Sequence, residues 1–129
     1  MSELKFIAMK SKAAIISVTE TWLDSSVCDS EIHIPNYSVI RRDRNRNGGG
    51  VYMFERDDLA FYKRSDLLRD GEEFLFLELL LPRNKPIIVG TIYRPPKHSS
   101  FLDSFESILT YLRSDCETLI LGDFNICFL

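Results

Sequence analysis

Two apolar runs separated by one strongly amphipathic segment limit this chain more than any other feature. Ile87-Ile88-Val89-Gly90-Thr91-Ile92-Tyr93 ends at Arg94-Pro95-Pro96, and Phe101, Leu102, Phe105, Ile108, Leu109 and Leu112 follow at helical spacing before Thr118-Leu119-Ile120-Leu121. The first run is a buried strand stopped by prolines, which cannot donate to a ladder. The middle segment is a helix with one broad apolar stripe, opened by Ser100 and Asp103 as a capping box. A helix crossing between two strands joins parallel neighbours of one sheet, because parallel strands need a long connection.

The rest of the chain is strand-rich. Residues 2–13 read as a short helix with Leu4, Ile7 and Ala8 on one face, and 13–19 as a buried strand. Tyr37 to Arg42, Val51 to Glu55 and Leu59 to Arg64 are strands; Phe74 to Leu81 is a central strand joined to 87–93 across Pro82-Arg83-Asn84-Lys85-Pro86. Asp43-Arg44-Asn45-Arg46-Asn47-Gly48-Gly49-Gly50 is an emphatic turn, its glycines allowing backbone angles that side chains forbid. Seven or eight strands with one good helix make a strand-rich α/β fold and, with no dividing linker, one domain over residues 1–129.

The totals exclude several classes. At 45% hydrophobic and 27% charged with nine Phe and five Tyr, the chain is globular rather than disordered. A net charge of -3 gives no whole-chain attraction to nucleic acid, so any such case rests on a local patch. Cys28, Cys116 and Cys127 have no paired metal-ligand spacing and read as reduced thiols of an intracellular protein. Lysines 5, 10 and 12 interrupt the first apolar residues, so no signal peptide is expected, and no apolar run is long enough for a membrane span.

Candidate chemistry gathers at strand ends. Glu20 closes the 15–19 strand, and Gly122-Asp123-Phe124-Asn125 closes the 118–122 strand. Strict alternation puts Asp123 and Asn125 on one side and Phe124 on the other. Ligands collect at the carboxyl ends of such strands, and two carboxylates beside an amide suit Mg²⁺, which keeps several of its waters. The plain alternatives are an Asx-type turn at Asp123-Asn125, a solvated strand end at Glu20, and a core anchor at Trp22. Arg41, Arg42, Arg44 and Arg46 form the one clear basic patch, suited to phosphate contact or to a solvated hairpin tip. Tyr93-Arg94 offers a phenol and a guanidinium at a rigid exit, or simply a proline-terminated edge. His33 and His98 lie in loops and are assigned no role.

Together these stretches resemble the endonuclease/exonuclease/phosphatase superfamily, and within it the apurinic-type endonuclease domain of non-LTR (LINE-like) retrotransposons. The residues carrying the resemblance are Ile16-Ser17-Val18-Thr19-Glu20-Thr21-Trp22-Leu23, Tyr37 through Arg44, Gly48-Gly49-Gly50-Val51, Ile92-Tyr93-Arg94-Pro95-Pro96 and Gly122-Asp123-Phe124-Asn125-Ile126, in the family's order. The resemblance implies a four-layered α/β sandwich and Mg²⁺-dependent (or Mn²⁺-dependent) phosphodiester hydrolysis. Glu20 and Asp123 would be metal ligands, with Asp123 also orienting or deprotonating the attacking water. Asn125 would hold the phosphate or the water, and Tyr93 would contact phosphate. Arg41, Arg42, Arg44, Arg46 and Arg94 would meet DNA.

The departures are equally specific. The family's first strand carries an asparagine, whereas no Asn precedes Asn36 here; the family's late Ser-Asp-His-type motif has no counterpart in the 129 residues. The expectation is therefore a truncated domain lacking the first strand and the carboxyl-terminal half, catalytically incomplete alone and able to self-associate through an exposed sheet face. A retroelement nuclease would act in the nucleus. The rival readings are a phosphatase branch acting on phosphorylated lipids or small phosphomonoesters, and a non-enzymatic remnant or interaction module.

Overall fold

The computed structural model describes residues 2–44, 48–96, 98–112 and 116–125. Helix α1 (Ser2–Ser11) precedes strands β1 (Ile15–Thr19), β2 (Tyr37–Arg42), β3 (Val51–Arg56), β4 (Ala60–Lys63), β5 (Glu73–Leu80) and β6 (Ile87–Tyr93); helix α2 (Phe101–Tyr111) and strand β7 (Glu117–Asp123) follow. Three strands form one antiparallel sheet in the order β1-β3-β2, and four form a mixed sheet in the order β4-β5-β6-β7. The β6–β7 pair is parallel, with Tyr93 opposite Asp123, as the strand–helix–strand reading requires. The fold is an α/β sandwich in part: helix, sheet, sheet, helix.

Alternation along the strands decides which side chains meet. Val51 and Met53 of β3 pack on Leu75, Leu77 and Leu79 of β5 and Val89 and Tyr93 of β6 between the sheets. The opposite face of β5 sends Phe74 and Phe76 to Phe101 and Ile108 of α2. A strand covered on both faces has no polar side to show, hence the near-continuous apolar run. Each buried Phe of this layer contributes about 1.5–3 kcal/mol relative to exposure. Tyr52 and Phe54 point the other way, to Ala8 of α1 and to Ile32 and Ile34.

Several local expectations change. In α2 the buried stripe narrows to Phe101, Phe105, Ile108 and Leu112, while Leu102 and Leu109 are exposed, since one sheet face covers only one edge of the helix. Ser100 makes no capping hydrogen bond; its hydroxyl donates instead to the buried Glu72 carboxylate at 2.8 Å. In α1, Ile7 is exposed whereas Leu4 and Ala8 pack inward. Trp22, the supposed core anchor, is 54% exposed.

Glu55 is the anomaly of the core. It is 0% exposed, and neither carboxylate oxygen has a hydrogen-bond partner. Burial pushes its pKa up to about 8, with Asp57 adding to the rise. The neutral acid is therefore the resident form at neutral pH.

Strands β1 and β7 each end a sheet, and an open groove of about 530 Å³ runs between them. It is lined by Ile15, Ser17 and Thr19 from β1 and Leu121 and Asp123 from β7, with Ile7 of α1. Leu119 and Leu121 of β7 are exposed.

Candidate functional site

The ends of both sheets that carry the candidate residues fall together. Strand β1 runs out at Thr19 opposite Val51, the first residue of β3, which is also opposite Arg42, the last of β2. In the other sheet, Tyr93 at the end of β6 is flanked by Glu73 and by Asp123. A hydrogen bond joins the two sets: the Tyr93 hydroxyl donates to Glu20 Oε1 at 2.8 Å. Burial, then the bond to Glu20, pushes the phenol up to about 12, so it remains a neutral donor across the physiological range.

Strand β7 ends at Asp123, and Asn125 does not continue the strand alternation. Asn125 takes a left-handed φ of 45°, its N–H donates to Asp123 Oδ1 at 3.0 Å, and its Nδ2 donates to the Arg94 carbonyl at 2.6 Å. The Asx-type turn is thus present. Asn125 reaches back to β6 and ties the two strand ends together. Phe124 packs against Phe101 and Phe105, anchoring the turn from the helix side. Gly122, with φ 148°, sits where any Cβ would overlap the Ile92 backbone, so β7 can approach β6 here only as glycine.

The triple-glycine turn serves the segment after Glu20. The Trp22 N–H donates to the Gly49 carbonyl at 2.9 Å and the Thr21 N–H to that of Gly50 at 3.4 Å. The Gly50 N–H donates to Glu73 Oε1, and Arg44 lies 3.6 Å from Glu73 Oε2. Glu20 and Trp22 have φ of 53° and 59°, a left-handed backbone that side-chain-bearing residues seldom take. Such strain persists only where surrounding contacts over-determine it, as the glycine carbonyls do here.

The basic residues divide. Arg41 is spent on structure: its guanidinium binds Asp43 at 2.6 Å and Asp29 at 3.0 Å, donates to the Val27 and Asp24 carbonyls, and lies over the Tyr52 ring. Asp43 raises its pKa further, so it is a permanent cation already neutralised. Arg42 donates from Nη2 to the Arg69 carbonyl, and its Nη1 is buried without a partner. Arg44 is the more exposed, donating to the Gly48 carbonyl and facing Glu73. Arg94 stacks over Phe101, and its N–H holds the Asp123 carbonyl at 2.8 Å. Arg46 and Ile126 lie outside the described residues.

Sequence reasoning missed two buried acids. Glu73 links the glycine turn to β5, and Glu72 accepts from Ser100 and Ser104 and pairs with His98 Nε2 at 3.0 Å. Glu72 thereby pins the loop after Pro96 and the start of α2 to the residue just before β5. The only signal was the interruption of polarity at Glu72-Glu73, immediately before an apolar run. Since His98 Nε2 meets both Glu72 and Ser100, the trio lacks the separate nitrogens of a relay and is structural.

Among the described residues no group of three or more His, Cys, Asp or Glu forms a ready-made metal cage. Glu20 and Asp123 are hard oxygen donors of the type Mg²⁺ takes, since it binds through one or two carboxylates while keeping waters. A further concavity, about 860 Å³ and lined by Arg64, Glu78, Lys85, Tyr111 and Cys116, lies at the opposite end of the mixed sheet. Its Arg64 is already paired with Asp66 and Glu78.

This arrangement defines the fold class: part of an α/β sandwich, two facing sheets with helices outside. The particular likenesses are to the endonuclease domain of TRAS1, a telomere-specific non-LTR retrotransposon (TM-score 0.74, 16% identity, 98% of this chain and 53% of that one), and to the human Nocturnin catalytic domain with bound sulfate anion (TM-score 0.59, 12% identity, 98% and 58%). At these identities the likeness is one of fold, and the chain spans little more than half the length of either structure. No family model and no curated protein matches the sequence.

Proposed function

We propose that the chain is part of a Mg²⁺-dependent phosphodiesterase of the DNA-endonuclease type, with Mn²⁺ as an acceptable substitute. The observation that carries this reading is the Tyr93–Glu20 hydrogen bond joining the two sheets beside Asp123. A divalent ion held by Glu20 and Asp123 would supply positive charge against the phosphate oxygens. Tyr93, neutral and fixed, donates to a phosphate oxygen or holds the Glu20 carboxylate in place. Asp123 has one oxygen engaged by the Asn125 N–H and uses the other to orient or deprotonate water. Asn125 fixes that carboxylate from below and adds an amide for phosphate or water. Arg44 and Arg94 attract the DNA backbone, with Arg42 and Arg46 adding charge; Arg41 contributes least because Asp43 and Asp29 already neutralise it. The proposed partners are DNA and, through the β1/β7 groove, a second copy of the chain. No helix among the described residues is long and apolar enough to cross a membrane.

The 129 residues alone are expected not to nick supercoiled plasmid with multiple turnovers, because the proton-transfer groups implied by the family resemblance have no counterpart here. Losing one such group costs about 10²–10⁴ in rate. The site itself is tested by metal binding. The Glu20→Gln plus Asp123→Asn variant should weaken Mn²⁺ binding by at least about tenfold, read as free-ion signal in electron paramagnetic resonance. Equal binding by parent and variant would remove the two acids from the site. Nicking by the parent that the variant loses would show a complete site within this chain.

A further inference from the structure

We propose that Trp22 is a nucleobase-stacking platform beside the hydrolytic site, so that the chain receives an unpaired nucleotide there. The setting rests on the phosphodiesterase reading, but the observations are separate. Trp22 is the single tryptophan of the chain, and a side chain with so much apolar surface ordinarily gains by burial. Here it is more than half exposed two residues after Glu20. Its backbone is held in the left-handed region by the hydrogen bond to Gly49, which keeps the indole from turning inward with β1. An outward aromatic face held at a strained position is a feature the fold does not need for its own packing.

The surroundings identify the ligand chemistry. A Cβ placed on Gly48 would meet Arg44 Nη2 at 2.6 Å and Trp22 Cε2 at 3.9 Å, so the guanidinium and the indole flank the same glycine. An exposed aromatic face with a cation beside it is how proteins hold single-stranded nucleic acid: the ring stacks on a base while the cation takes the neighbouring phosphate. An apolar protein partner would call for a continuous apolar patch, whereas Trp22 follows the charged Glu20 by two residues and has Arg44 against the same glycine. Because every base has a π-face, the platform is expected to tolerate sequence and to prefer unpaired over paired strands.

The test uses the full chain in EDTA, where neither metal binding nor hydrolysis enters. Oligothymidylate should quench the tryptophan fluorescence, which reports on Trp22 alone. An abasic oligomer of equal length and charge should bind through phosphate contacts without quenching. Trp22→Ala should weaken oligothymidylate binding, followed by anisotropy of a labelled strand, about 5- to 150-fold. Trp22→Phe should retain most of the affinity, and abasic binding should change less than about twofold in both variants. Circular dichroism confirms that each variant is folded. Equal quenching by the abasic strand, or unchanged affinity of Trp22→Ala, overturns the proposal. Loss of the Glu20/Asp123 metal site would leave these readings intact, so the two conclusions fail separately.

Discussion

Gly122→Ala should be severely destabilising, lowering stability by on the order of 2–5 kcal/mol. The residue sits at φ 148° in the parallel register, opposite Ile92, and a methyl group there would overlap backbone atoms that cannot rotate away. Relief requires the end of β7 to part from β6. That movement breaks the Arg94 N–H to Asp123 carbonyl bond and carries the Asp123-Asn125 turn away from Tyr93. With total stability of a domain typically about 5–15 kcal/mol, the loss is a large fraction. Urea unfolding measures it as a fall in midpoint, and Mn²⁺ affinity should fall at urea-free conditions as well. An unchanged midpoint would mean that β7 does not pair with β6 at this position.

Glu55→Met should act in the opposite direction and only above acidic pH. The folded-state pKa of Glu55 is raised from 4.5 to about 8 by burial. Between these values the folded protein holds a proton that the unfolded chain has released, so the contribution of Glu55 to stability is fully present below about pH 4.5 and declines as pH rises through about 8. The separation corresponds to at most about 5 kcal/mol, and relaxation around the carboxyl brings the expected slope to on the order of 2–4 kcal/mol over the window. Methionine fills a similar volume without an ionisable group, removing that pH dependence. Thermal unfolding from pH 4 to pH 9 should show the parent losing stability as pH rises from 4.5 to about 8 and the variant holding level. A parent curve that is flat over the same range would place Glu55 in contact with solvent.

Much of the sheet architecture was legible from pattern. The apolar runs at 74–81 and 87–93, the prolines after Tyr93, and the amphipathic 101–112 segment require strands covered on two faces and a parallel return at 118, because periodicity and chain direction are local properties. The proximity of Glu20 and Tyr93 was legible only through resemblance, since 73 residues separate them and no local rule pairs them. The acid–glycine contact of Glu73 with Gly50 was not legible at all. Nor was the role of Glu72, for hydrogen bonds between distant polar groups leave no periodic trace.

By itself the sequence determined strand order along the chain, the crossover, and which residue types stand at strand ends; each follows from alternation, helical spacing or the missing amide of proline. Only the tertiary structure decided that Arg41 is neutralised while Arg44 is exposed, that Asn125 builds a turn instead of extending a strand, and that Trp22 faces outward. Those outcomes depend on which distant carbonyl or carboxylate meets each group once the sheets pack. An arginine beside Asp29 and Asp43 and an arginine beside Gly48 differ in their neighbours, and those neighbours are set by the fold.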